Sequence, residues 1–179
     1  DPTSAFTSSN TITDVSCNSG NNGQINTIIS GGVTPYSYNW YNYSMTLINS
    51  TLSTLNLQDS LQNLIASNYI LQIIDNNNCI LTDTITINEP LAISLTTTTI
   101  PASCFGYSDG GVSVSAFGGT PNYTYSWNSI PPQNNASAVF LSAGTYMVSV
   151  TDNNNCIQTT LATILEPAAV PVSISSATT

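Results

Sequence analysis

Residues 118–127 read Gly-Gly-Thr-Pro-Asn-Tyr-Thr-Tyr-Ser-Trp, and residues 31–40 read Gly-Gly-Val-Thr-Pro-Tyr-Ser-Tyr-Asn-Trp. Aligned, they set Gly31, Gly32, Tyr36, Tyr38 and Trp40 opposite Gly118, Gly119, Tyr123, Tyr125 and Trp127, an offset of 87 residues. Cys17 and Cys104 are also 87 residues apart, upstream of each Gly-Gly. Further on, LIASNYILQIIDNNNCI (64–80) matches LSAGTYMVSVTDNNNCI (141–157), and Glu89-Pro90 matches Glu166-Pro167, now at an offset of 77. The first copy therefore carries ten extra residues between Trp40 and Leu64. Self-similarity at such a period marks a chain built from copies of one unit.

Within each copy the side chains alternate as strands require. Tyr146, Val148 and Val150 fall on one face and Met147, Ser149 and Thr151 on the other, while Tyr69, Leu71 and Ile73 repeat the pattern in the first copy. The second copy divides into six strands, near 91–98, 111–116, 123–128, 137–140, 145–152 and 157–165, separated by Gly, Pro and Asn turn signals. This spacing predicts an all-β fold of two tandem immunoglobulin-like β-sandwich repeats. Trp40 and Trp127 on third strands, with Tyr69 and Tyr146 just past a short turn, are expected as core aromatics, the tyrosines in the manner of a tyrosine corner. The expected boundaries are 1–90 for the first repeat and 91–167 for the second. Residues 168–179 are expected as the first strand of a following repeat or as a strand donated to a neighbour.

Asn, Ser and Thr supply 72 of the 179 residues, and these groups suit turns and exposed strand faces better than helices. There is no Lys, Arg or His against seven Asp and two Glu, a formal net charge of −9. Binding to nucleic acid needs cations that displace counterions from phosphate, so it is excluded as a function, and attraction to anionic lipid falls with it. No apolar run approaches the eighteen or so residues that span a bilayer, so membrane insertion is not expected. Without His there is no Ser-His-Asp or Cys-His arrangement, and without Lys no Schiff base. The sequence reads as that of a non-enzyme with no cofactor.

The four cysteines fall two to a repeat. If the chain crosses each sandwich an even number of times between them, both sulfurs lie at one pole, which predicts Cys17–Cys79 and Cys104–Cys156 bridges formed in an oxidising compartment. Four unpaired thiols are the alternative. Zinc is not expected, because there is neither a Cys-x-x-Cys pair nor a His. Asp75 and Asp152 each open an Asp-Asn-Asn-Asn turn, where a carboxylate capping its own backbone is the ordinary reading. A calcium site built on Asp75 with Asp83, or on Asp152 with nearby carbonyls, is the weaker alternative.

Gly-Gly-Thr-Pro-x-Tyr-x-Tyr-x-Trp (118–127), Leu-Ser-Ala-Gly-Thr-Tyr (141–146), Val-Thr-Asp-Asn-Asn-Asn-Cys (150–156) and the following Glu-Pro together resemble the SprB repeat of large gliding-motility adhesins and other surface proteins of Bacteroidota. The first copy departs from the pattern by Val33 before Thr34-Pro35, by its insertion and by Asn68 in place of Gly. The resemblance implies export by the type IX system, a cell-surface or released location, and a place as one link in a long adhesive filament. It implies no catalytic residue. Asp59-Ser60-Leu61 and Asp83-Thr84-Ile85 also resemble the short Bacteroidota signal for O-glycosylation, which would fall on Ser60 and Thr84. The expected partners are neighbouring repeats of the same polypeptide or identical subunits. Surface glycans, bound through exposed Tyr, Asn and Thr, are an alternative.

Overall fold

The computed structural model describes residues 6–171, and over these it holds thirteen strands and no helix. The chain divides into two compact units, Asp1–Leu91 and Ala92–Thr179. In the first unit, β1 (Thr7–Thr13), β2 (Gly23–Ser30) and β5 (Gln58–Leu64) make a sheet in the order β1-β2-β5. The facing sheet is β4-β3-β6-β7, from β3 (Tyr36–Asn42), β4 (Leu47–Thr54), β6 (Ser67–Ile74) and β7 (Ile80–Ile87). All pairings are antiparallel. First, second and fifth strands in one sheet against third, sixth and seventh in the other is the strand distribution of an immunoglobulin-like sandwich.

The second unit repeats this order with one strand fewer. β8 (Ser94–Ile100), β9 (Gly110–Phe117) and β11 (Ser137–Leu141) form one sheet, and β10 (Thr124–Trp127), β12 (Gly144–Thr151) and β13 (Ile157–Ile164) the other. Part of the extra sequence of the first unit is spent on β4, which pairs with β3. In its place the second unit has an irregular segment, 128–136, that doubles back along β10, where Gln133 pairs antiparallel with Trp127. The 168–179 stretch falls mostly on residues 172–179, outside the described residues, and 168–171 form no strand.

Each unit has its own core, built by the alternation seen in the sequence. Along β3, Tyr36, Tyr38 and Trp40 are buried while Ser37 and Asn39 between them are not, and Tyr69, Leu71 and Ile73 of β6 meet them. In the second unit Val112, Val114, Trp127, Val148, Val150 and Ile164 do the same work with smaller side chains. Burial of each large apolar group contributes about 1.5–3 kcal/mol. Closure at one end demands glycine: a Cβ on Gly110 would lie 2.7 Å from Ile164 and 2.9 Å from the Leu141 carbonyl, and one on the equivalent Gly23 would lie 2.9 Å from both Ile87 and the Leu64 carbonyl. Burial leaves no described side-chain N or O unpartnered. The fully buried Thr27 donates to Asn10, whose amide donates at 2.6 Å to Asp83 of β7 and ties β1 to the opposite sheet.

Candidate functional site

The residues that the repeats share outside the cores gather at the two poles of each unit. At the entry pole, where β1 or β8 begins, the Asp-Asn-Asn-Asn-Cys turn folds around its aspartate. Asp75 accepts backbone N–H groups from Val33 (3.0 Å), Asn77 (2.9 Å) and Cys79 (2.8 Å). Asp152 accepts from Thr120, Asn154 and Cys156, each at 2.8 Å. Both aspartates are buried. Burial acts to raise their carboxyl pKa, but the three amide donors outweigh it and hold each below the ordinary aspartate value.

This clamp also explains the Gly-Gly pair. Gly119 has a φ of +60°, and a Cβ there would stand 2.6 Å from the Asp152 carboxylate. Only glycine lets the backbone approach so closely in that conformation. Tyr36 and Tyr123 brace the same turn, donating their hydroxyls to the carbonyls of Gly31 and Gly118. The carboxylates are thus committed to amide donors, as in a cap, whereas calcium would need them to face further oxygens. Asp83 is not drawn in: it accepts from Ser8 and Asn10. No cluster of three metal-ligating side chains occurs among the described residues.

At the exit pole, where β7 or β13 ends, a loop carries the other cysteine and the Glu of Glu-Pro holds it. Glu89 accepts from the Ser19 backbone and from the Asn18 side chain, and Glu166 accepts from the Gly106 backbone at 2.7 Å. Asp109 closes the second loop from its far side by accepting the Ser103 N–H at 2.9 Å; its hydrogen bonds with Ser103, less a small opposing effect of burial, lower its pKa. The role of these glutamates escaped the sequence reading. Its signal was present in the constant spacing from Asp-Asn-Asn-Asn-Cys to Glu-Pro in both copies.

The two poles overturn the expected cysteine pairing. Cys17 lies at the exit pole of its unit, beside Ser19 and Glu89, and Cys79 at the entry pole at the start of β7. Cys104 and Cys156 are divided in the same way, by the length of β13. Eight strand residues span about 25 Å, against the roughly 4.4–6.8 Å between Cα atoms that a disulfide permits. The chain makes five passes between the cysteines of each unit, an odd number where an even one was expected, so the two sulfurs end at opposite poles. β4 is the added pass in the first unit, and in the second it is the irregular return over 128–136, which carries no strand signal. Cys79 and Cys104 are exposed free thiols, and Cys17 and Cys156 are in disulfide form.

The aromatics are structural. Trp40, Trp127 and Tyr69 are buried and Tyr146 is half-buried. The Tyr69 and Tyr146 hydroxyls donate to the carbonyls of Ile65 and Ser142, each four residues upstream and 3.0 Å away, the geometry of a tyrosine corner. Trp40 donates to Asp59 and Trp127 to the Asn135 carbonyl. Tyr38, fully buried, gives its hydroxyl to the Asn56 carbonyl. Burial, with the Asp59 charge second, pushes its pKa up to about 12. Ser60 and Thr84 are exposed on strand faces.

No protein of curated function matches the chain. Among solved structures, the two immunoglobulin domains of DIP-gamma align over 90% of this chain and 98% of that one, with a TM-score of 0.46 and 11% identity. A C-terminal fragment of intimin, in complex with the intimin-binding domain of its translocated receptor, covers 92% of this chain and 64% of its own, with a TM-score of 0.44 and 14% identity. A two-domain fibronectin type III segment from chicken tenascin covers 89% and 99%, with a TM-score of 0.39 and 12% identity. The SprB repeat family matches residues 9–45 and 96–131, from the first strand past the third in each unit. The two matches begin 87 residues apart, as the Gly-Gly motifs do, so each of the two units carries one match to the SprB repeat family.

Proposed function

We propose that this chain is a non-catalytic segment of an extracellular, cell-surface adhesin-type protein, in which each repeat serves as a spacer in a stalk. One observation carries the reading: in each SprB-matching unit the chain enters at one pole and leaves at the opposite one. Copies so built concatenate without long linkers, and a solenoid-like series of them extends with copy number. The chemistry agrees with that role. The buried carboxylates cap turns, the tyrosine hydroxyls brace backbone, and the chain has no His, Lys or Arg to act as base or nucleophile. A surface-glycan role through Tyr38 is not favoured, because that ring is fully buried.

The test is small-angle scattering on the chain and on a tandem of two such chains. For a stalk, the maximum dimension should grow by roughly 30 Å for each added unit, about one strand length plus its turns. Growth with the cube root of mass would refute the spacer role.

A further inference from the structure

We propose that Cys104 of one copy of this chain forms a disulfide with Cys79 of the next, joining successive copies head to tail. The proposal rests on the stalk reading. Both thiols are free and exposed, and they belong to opposite kinds of pole: Cys79 to the pole where the chain enters the first unit, Cys104 to the pole where it leaves the second. A bond inside either unit is barred by the length of β7 or β13. In a head-to-tail series the exit pole of one copy meets the entry pole of the next, so an exit-type and an entry-type cysteine arrive at each junction.

Three further observations support the pairing. The repeat equivalents of these residues, Cys17 for Cys104 and Cys156 for Cys79, are in disulfide form, so both kinds of position are used for bridging in this chain. Both thiols sit on ordered loops, Cys79 with its N–H held by Asp75 and Cys104 with its carbonyl accepting from Tyr107. Both also stand among exposed apolar side chains. The exposed Ile80 follows Cys79, and the exposed Val33 shares the Asp75 carboxylate with it, while Cys104 borders a groove of about 370 Å³ whose lining includes Phe105, Pro167, Ala168 and Val170. Such apolar rims would be covered when a second copy docks, which raises the effective concentration of the two thiols.

The chemistry is thiol–disulfide exchange with a small-molecule disulfide such as oxidised glutathione. The Cys104 thiolate attacks one sulfur of that disulfide and releases the first small thiol. The Cys79 thiolate of the second copy then attacks the Cys104 sulfur and releases the other. Two protein thiols are oxidised to one disulfide, and one small disulfide is reduced to two thiols.

The full chain incubated in a reduced and oxidised glutathione buffer tests this on non-reducing gels. The wild type should give a ladder of multimers that collapses to monomer with reductant. Cys79→Ser and Cys104→Ser should each remain monomeric alone, and an equimolar mixture should give a heterodimer. Its peptic digest should contain one peptide pair linking Cys79 to Cys104; pepsin is needed because trypsin has no Lys or Arg to cut after. Either single variant dimerising as readily as the mixture, a wild type with no ladder, or a monomer that becomes two hydrogens lighter than the untreated chain would overturn the proposal. Both replaced residues are exposed, so matching circular dichroism of the variants serves as the folding control. Scattering growth with copy number does not depend on the bond, so failure here is distinguishable from failure of the stalk reading.

Discussion

At the residue scale, the aspartates and tyrosines account for most of the pH response this chain can have. Asp75, Asp109 and Asp152 have folded pKa values below the unfolded one, so the stability they lend is present above about pH 4 and is lost as pH falls through their folded values. Thermal melts should hold steady from pH 7 to 5 and drop steeply below about pH 4; in a combined Asp75→Asn and Asp152→Asn variant the acid drop should shrink because the melt at pH 7 is already lower. Tyr38, and Tyr69 with it, have the opposite sign. Their raised folded values mean that the stability is present below an unfolded pKa of about 10 and is lost as pH rises toward about 12, the figure for Tyr38. Alkaline denaturation monitored by tyrosinate absorbance should therefore report Tyr38 and Tyr69 ionising only as the first unit unfolds. Tyr146→Phe removes one hydroxyl-to-carbonyl bond at the Ser142 corner and should cost about 1 kcal/mol in urea unfolding.

At the element scale, strand identity follows from alternation, while what closes the strands follows from contacts among distant residues. Gly110 opens β9 under the Leu141 carbonyl and the Ile164 side chain. Gly110→Ala should destabilise the chain by about 1–3 kcal/mol in urea unfolding, because backbone must shift to admit the methyl. The six strands of the second unit were legible within a few residues from Tyr146-x-Val148-x-Val150 and the Gly and Asn turns. β4 was not. Its Leu47–Thr54 sequence leaves Leu47, Ile48 and Leu52 exposed and so lacks a clean apolar face, and it forms only because β3 offers it an edge. The return over 128–136 was equally invisible, since Trp127 makes a single bridge there and no ladder.

At the scale of the whole molecule, a chain with 5% charged residues and no cation has no side-chain ion pairs to lose to salt. Its melting temperature should move by less than about 2 °C between 0.05 and 1 M NaCl, in contrast to a fold laced with surface salt bridges. The stabilising work falls to two packed cores and to polar side chains that satisfy backbone at the poles. That division suits a repeat whose ends must stay well formed wherever it stands in a series.

The sequence alone determined that this chain is all-β and that it is built twice from one pattern, because a two-residue period and a repeated motif are properties of neighbours along the chain. The sandwich's poles decided the rest. Whether two cysteines share an end depends on every pass between them, including passes with no strand signature, and one uncounted return moves a sulfur by the full length of a strand. The glutamates at the Cys17 and Cys104 loops were likewise visible as a motif, yet their purpose became readable only when some seventy residues of intervening chain had folded to bring Glu89 against Ser19.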